Sequence, residues 1–391
     1  MPMNVKQALP LLGQISPEQF MNEYWQKKPL LIRAAVPDFK PLLDEKALLA
    51  MAANDEVESR LVENTPKGWK LSPGPIEKPP GKAKKDWTLL VQGVDIHNDA
   101  VHVLMQQFRF VPDARLDDVM ISLAGEGGGV GPHFDSYDVF LLQAAGRRRW
   151  QISAQKDLTL VADAPLKILK NFKHTQEFIL EPGDMLYLPP RYAHDGVALD
   201  AGCQTYSIGF RAPKAGELAR EILHRLAEEI GESLDEDGED ADPAWLKLYA
   251  DSTQSATAHP AQLPPALQAF ATQALAKALA DKQLLQQLVG EYLTDPKPGV
   301  IFEDVDANDA SDGLPNGWKQ LRLARATRMS YDSKHMFING QSFVCAGKDA
   351  KILQKLADER ILIKADLAAA SEQLTAALSE FAKEGWLYVS E

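Results

Sequence analysis

From Trp87 to Phe210 the chain is written in short β-rich runs, DVMISLA, YDVFLLQ, RRRWQIS, MLYLPP and QTYSIGF, punctuated by Gly, Pro and Asp. Several short strands at this spacing specify a sandwich or a barrel. Upstream, WQKKPLLIR holds a compact apolar run, Pro29 to Ile32, suited to one more strand. The Pro- and Lys-rich stretch between Ser72 and Lys85 reads as an exposed loop. At Arg211-Ala212-Pro213 the period changes. Leu218, Ile222, Leu223, Leu226 and Ile230 recur at helical spacing with charges between them. Ala-rich helical patterns continue to a break at Pro296-Lys297-Pro298-Gly299. The last segment carries a helical stretch from Ser371 to Lys383, a stop at Gly385 and a strand-like WLYV, and reads as a small α+β, winged-helix-like unit. The expected divisions are 1–212, 213–295 and 296–391, with no internal repeat.

Charge narrows the classes of partner. Lys plus Arg total 42 and Asp plus Glu 55, a net of −13, which argues against general affinity for phosphate backbones or anionic lipid. The two cysteines, Cys203 and Cys345, lie far apart and form neither a disulfide framework nor a zinc ribbon. The N-terminus has no basic stretch ahead of an apolar run, and no apolar stretch approaches the ~18 residues of a spanning helix. A cytoplasmic protein without membrane contact is the expectation.

The stretch GGGVGPHFDSYDVFLLQAAGRRRW, residues 127 to 150, carries the chemistry. His133 and Asp135 stand at i and i+2 at the start of an expected strand, where alternation points both side chains to one face. One imidazole and one carboxylate so placed supply two ligands of the facial triad of non-haem iron(II) oxygenases, which leaves coordination positions open. A third ligand must come from elsewhere. Downstream, LEPGDMLYLPPRYAHDG offers a turn, an apolar strand, two prolines and then His194; in a double-stranded β-helix a later strand returns such a residue to the same metal. Glycines 127, 128, 129 and 131 suit a sharp turn or a close approach of the backbone to a substrate. Taken alone, His-x-Asp is commonly structural, and His194 could be a satisfied loop histidine. The order of the blocks favours ligation. His97, His102, His174, His224, His259 and His335 have no ligand spacing.

With these blocks the sequence resembles the JmjC-type, cupin-fold 2-oxoglutarate oxygenases, and within them the bacterial ribosomal oxygenases that hydroxylate an arginine of a large-subunit ribosomal protein, the sixteenth in standard numbering. WQKKPLLIR, the glycine-rich lead-in, HFDSYDVFLLQ, GRRRW, EPGDMLYLPPRYAH and YSIGFRAP carry the resemblance. It implies a double-stranded β-helix (jelly-roll) core, a helical dimerisation region and a C-terminal winged helix. Iron(II) held by His133, Asp135 and His194 is implied, with 2-oxoglutarate and oxygen as cosubstrates and succinate and carbon dioxide as products. The position that anchors the distal carboxylate of 2-oxoglutarate matches Arg148, a bidentate fork where many relatives have lysine. Thr205 matches a polar position near the cosubstrate. Tyr137, by strand parity with His133 and Asp135, is expected to point inward toward substrate or cosubstrate.

Parity also separates Arg148 and Trp150 from Arg147 and Arg149, which are expected in salt bridges. The acidic run Asp235 to Asp240 reads as a solvated loop. Glu372, Glu380 and Glu384 on the last helical stretch would repel phosphate, so the winged helix is expected to support a homodimer and not to read DNA. Two other readings stand beside the hydroxylase: an N-methyl-lysine demethylase of the same iron chemistry, marked by formaldehyde release, and a non-catalytic cupin scaffold or sensor.

Overall fold

The computed structural model describes residues 3–81, 83–235, 245–303, 314 and 317–390. The acidic run beyond Asp235 lies outside them. The chain divides into two compact units, Met1–Ala212 and Pro213–Glu391.

In the first unit, helices α1 (Pro17–Glu23) and α2 (Glu45–Ala52) flank strand β1 (Leu30–Ile32), and β2 (Ser59–Thr65), β3 (Gly68–Pro73) and β4 (Trp87–Val91) follow. Helices α3 (Val94–His97) and α4 (Asp99–Gln106) lead into β5 (Leu116–Ala124), β6 (Val139–Ala145), β7 (Arg148–Ser153), β8 (Gln176–Leu180), β9 (Met185–Leu188), β10 (Ala193–Ala198) and β11 (Cys203–Phe210). One sheet has the order β1-β9-β6-β11-β5-β4-β2-β3 and faces a smaller one, β10-β7-β8. Residues paired across strands share a face, so register sorts the side chains. Val139 and Leu141 of β6 pair with Leu188 and Leu186 of β9. These four pack with Trp150, Ile152 and Leu180 of the smaller sheet to fill the space between the two layers. The other face of the large sheet presents Phe140, Tyr187, Tyr206 and Phe210 to the helical N-terminal region, where Phe20 and Trp25 complete an aromatic core. Phe20 and Tyr187 meet edge-on at 4.9 Å, a geometry that adds to simple burial.

The sheet extends further toward the N-terminus than the β-rich text suggests. The β2–β3 hairpin pairs Arg60 with Pro73 and Thr65 with Gly68, so Ser72 and Pro73 are strand and the irregular loop begins at Gly74. Glu63, buried in this hairpin, sits between Lys70, 3.1 Å away, and Lys84, and their hydrogen bonds hold its carboxyl below the usual range.

In the second unit α5 (Ala215–Asp235), α6 (Pro265–Ala278) and α7 (Lys282–Thr294) bury Leu226, Ala278 and Leu288 against one another. Strands β12 (Gln320–Leu323), β13 (Met329–Tyr331), β14 (His335–Ile338), β15 (Gln341–Val344), β16 (Ile361–Ile363) and β17 (Leu387–Ser390), with α8 (Gly347–Glu359) and α9 (Glu372–Lys383), build a separate core around Leu321, Leu356, Leu362 and Leu378. Strand β17 takes up Leu387, Tyr388 and Val389 of the WLYV segment. Among the described residues no helix is long and apolar enough to cross a membrane.

Candidate metal centre

The glycine-rich lead-in runs alongside the edge of the small sheet. Gly127 donates its N–H to the carbonyl of Ala198 at 2.9 Å, Ala198 donates to Gly128 at 2.8 Å, and His133 and His194 exchange backbone hydrogen bonds of 2.9 and 2.8 Å. This ladder places the two histidines side by side, with ring centroids 4.2 Å apart. The glycines serve close packing of backbone on backbone: a Cβ at Gly128 would lie 2.1 Å from the carbonyl oxygen of Trp87, and one at Gly129 2.6 Å from that of Gly196.

His133 makes only an isolated bridge, and the strand begins at Val139. The expectation of a strand start at His133 is therefore corrected. Residues 134–138 form an irregular loop held from the other side by Arg191, whose N–H donates to the carbonyl of Asp135 at 2.6 Å. The parity argument for Tyr137 falls with it, since alternation holds only in extended strand. Tyr137 is 39% exposed at the rim of the barrel. Burial, then the charges of Asp135 and Asp118, push its phenol pKa upward.

One ligand atom each from His133, Asp135 and His194 lies within 4.8 Å of the others. Nε2 of His194 is 3.6 Å from a carboxylate oxygen of Asp135. In each imidazole Nδ1 faces a carbonyl oxygen, that of Gly131 at 2.8 Å for His133 and that of Tyr192 at 2.9 Å for His194. A carbonyl only accepts, so both Nδ1 atoms carry the proton and both Nε2 lone pairs are left for a cation. Burial, followed by the neighbouring His133, lowers the His194 pKa to about 4. It is therefore neutral near pH 7, as a ligand must be. Two imidazoles and one carboxylate fit a divalent transition metal.

Register carries the inner face along the small sheet. His194 pairs with Ile152, Gly196 with Trp150 and Ala198 with Arg148. Arg148 is only 4% exposed. Its Nη1 donates to the carbonyl of Gly196 at 3.2 Å, while Nε and Nη2 are buried with no partner, as is the indole Nε1 of Trp150. Buried donors without acceptors are costly, and a guanidinium with two of them open fits an anion such as a carboxylate. Arg147, on the outer face, pairs with Asp200 at 3.0 Å.

Thr205 lies on the inner face of the large sheet and is buried. Its hydroxyl donates to Oε1 of Gln143 at 2.9 Å. Asp138, in contrast, is sealed on the aromatic side of the sheet, where it accepts from Tyr187 at 2.6 Å and Gln26 at 3.0 Å. Sequence reasoning missed Gln143 and the carboxylates Asp117 and Asp118. Parity places Trp150 on the face of Arg148, and the structure adds that its indole N–H has no partner there.

Comparison with known proteins matches the JmjC domain over residues 103–218 and a ROXA-like winged helix over 277–388. An AraC-like ligand binding domain matches 174–289, across the boundary between the two units. The Escherichia coli K12 ribosomal protein uL16 3-hydroxylase is 33% identical over 330 residues, 82% of this chain and 84% of that protein. A probable ribosomal oxygenase of Haemophilus influenzae is 38% identical over 210 residues, 52% of each. The X-ray structure of E. coli ycfD superposes with a TM-score of 0.81 at 28% identity, covering 95% of this chain and 98% of that one. The same protein in complex with cobalt and 2-oxoglutarate gives 0.77 at 27%, covering 96% and 98%.

Proposed function

The chain belongs to the JmjC-domain ribosomal oxygenases, and from that premise we propose that it is an iron(II)- and 2-oxoglutarate-dependent hydroxylase of an arginine side chain in a large-subunit ribosomal protein, the sixteenth. The observation that carries the reading is the pairing of the His133, Asp135 and His194 ligand set with a buried arginine on the same inner face whose Nε and Nη2 have no partner. When bound, iron and 2-oxoglutarate together supply oxygen activation, with succinate and carbon dioxide as coproducts. His133, Asp135 and His194 would hold the cation, and three protein ligands would leave room for the cosubstrate to bind it. Arg148 takes the distal carboxylate of 2-oxoglutarate through its open fork. Thr205, tied to Gln143, keeps the opposite wall polar and fixed. Tyr137 at the rim stays a neutral phenol, and the carboxylates that act on it, Asp135, Asp118 and Asp117, supply the negative potential that favours a guanidinium substrate. Similarity to the E. coli uL16 3-hydroxylase and to the E. coli ribosomal oxygenase in complex with cobalt and 2-oxoglutarate supports the assignment.

The test is to incubate the enzyme with iron(II), 2-oxoglutarate, air and large-subunit ribosomal proteins, and to locate the modification by tandem mass spectrometry. One added oxygen on an arginine of the sixteenth protein is expected. Loss of methyl groups with formaldehyde release would instead identify a demethylase.

Gly196 provides a further check on the cosubstrate site. A Cβ there would lie 2.5 Å from the Trp150 ring, so Gly196→Ala must displace the indole beside Arg148. The expected outcome is a several-fold rise in the KM for 2-oxoglutarate with a shifted tryptophan emission, measured by steady-state kinetics and fluorescence.

The helices of the second unit leave Leu223, Leu267, Leu275 and Leu279 between 39% and 57% exposed. A second copy of this chain would cover such a face. The expected species in sedimentation velocity at micromolar concentration is a homodimer, and only monomer would contradict it.

A further inference from the structure

A recess of about 250 Å3 outside the metal centre is walled by Val57, Arg60, Leu71 and Pro73, with Asp55 and Glu58 beside them. Its place in the sheet connects it to the barrel mouth. Arg60 and Pro73 are cross-strand partners, and Arg60 also pairs with Leu90, which pairs with Ser122, which pairs with Thr205. Paired residues share a face. Arg60, Leu71 and Pro73 of its wall therefore lie on the face of the large sheet that lines the barrel, while Val57 closes the recess from the N-terminal side. The Arg60 guanidinium reaches toward the mouth, with Nη2 3.9 Å from Sδ of Met120, and Arg60 is also among the charges felt by Tyr137.

We propose that this recess is a docking subsite for one long basic side chain, lysine or arginine, of the protein substrate. The idea rests on the hydroxylase reading and adds to it a determinant of substrate choice remote from the iron. The volume suits a single side chain and is small for an independent ligand. Val57, Leu71 and Pro73 offer apolar surface to a methylene stem. Asp55 and Glu58 are exposed and, among the described residues, make no ion pair, so both are available to the charged head. Their two negative charges outweigh that of Arg60, whose head is turned to Met120. A chain of net charge −13 acting on a basic ribosomal protein needs such local complementarity to fix register. From β2 to β5 is two strand spacings, about 10 Å, which an extended peptide covers in about three residues. The metal ligands lie beyond β5, on the glycine-rich lead-in, the loop after it and β10, so the docked residue should stand at least three positions from the hydroxylated one.

The experiment uses the full-length enzyme with iron(II), 2-oxoglutarate and the purified ribosomal protein, comparing wild type with the Asp55→Lys/Glu58→Lys double variant. Reversing two exposed charges is expected to raise the KM for the ribosomal protein about tenfold, with kcat and the KM for 2-oxoglutarate within twofold. Substrates in which each basic residue within ten positions of the target is changed to alanine then locate the partner. One change, three or more positions away, should raise KM with wild type and add nothing with the double variant. An unchanged KM in the double variant, or fully additive effects for every substrate change, overturns the subsite while leaving the hydroxylase reading intact. Wild type that oxidises no ribosomal protein overturns both.

Discussion

An Asp135→Ala variant will lose hydroxylation by more than about a hundredfold, the scale already seen when only the outer partners of metal ligands are removed. Asp135 is the cleanest of the three ligands to remove. Its side chain is half-buried on an irregular loop, and the loop is held by the backbone bond from Arg191, which the substitution leaves in place. His194→Ala should inactivate as thoroughly but also empties packing between His133 and Trp150, whose ring centroids lie 4.2 and 5.8 Å from its own. The informative readout is iron(II) binding by equilibrium dialysis beside activity, with circular dichroism as the control for folding. A folded Asp135→Ala protein that retains iron and full turnover would contradict the ligand assignment.

Arg148→Ala will raise the KM for 2-oxoglutarate roughly ten- to hundredfold. A hydrogen bond to a charged group contributes about 1.5–3 kcal/mol, and each 1.4 kcal/mol is about a factor of ten in affinity. The guanidinium is buried, and its one described hydrogen bond goes to the carbonyl of Gly196, so nothing else nearby replaces its fork. Turnover at saturating 2-oxoglutarate should fall less, because the residue acts on binding of the cosubstrate and not on the reacting carbon. Arg148→Lys should lie between the two, with a point charge in place of a planar fork. Steady-state kinetics across a range of 2-oxoglutarate decides the matter, and an unchanged KM would remove Arg148 from the cosubstrate site.

How far the sequence reached can be read residue by residue. His133, Asp135 and His194 could be singled out because a metal triad calls for those residue types in that order, and Arg148 through the family resemblance; the fold gathers the three ligand atoms and sets Arg148 on the same inner face. The alternation of β7 separated Arg148 from Arg147 correctly, since that segment is extended strand. The same argument failed for Tyr137 because residues 134–138 are irregular, and periodicity says nothing there. The β2–β3 hairpin was missed for a related reason. Its Ser72-Pro73 end runs directly into a Pro- and Lys-rich loop, and the local text of the loop masks the strand. Gln143 and the recess beside Val57 depend on pairings between strands far apart in sequence, such as Thr205 with Gln143 and Arg60 with Leu90, which no local pattern encodes.

The central claim is hydroxylation of a ribosomal protein driven by 2-oxoglutarate, and intact-mass analysis tests it most directly. The enzyme is loaded with iron(II) anaerobically, then given oxygen and isolated large-subunit ribosomal proteins, with and without 2-oxoglutarate. A gain of one oxygen on a single protein is expected, only when 2-oxoglutarate is present, with succinate formed in equal amount. Unchanged masses for every ribosomal protein, from an enzyme that still binds iron and 2-oxoglutarate, would contradict it.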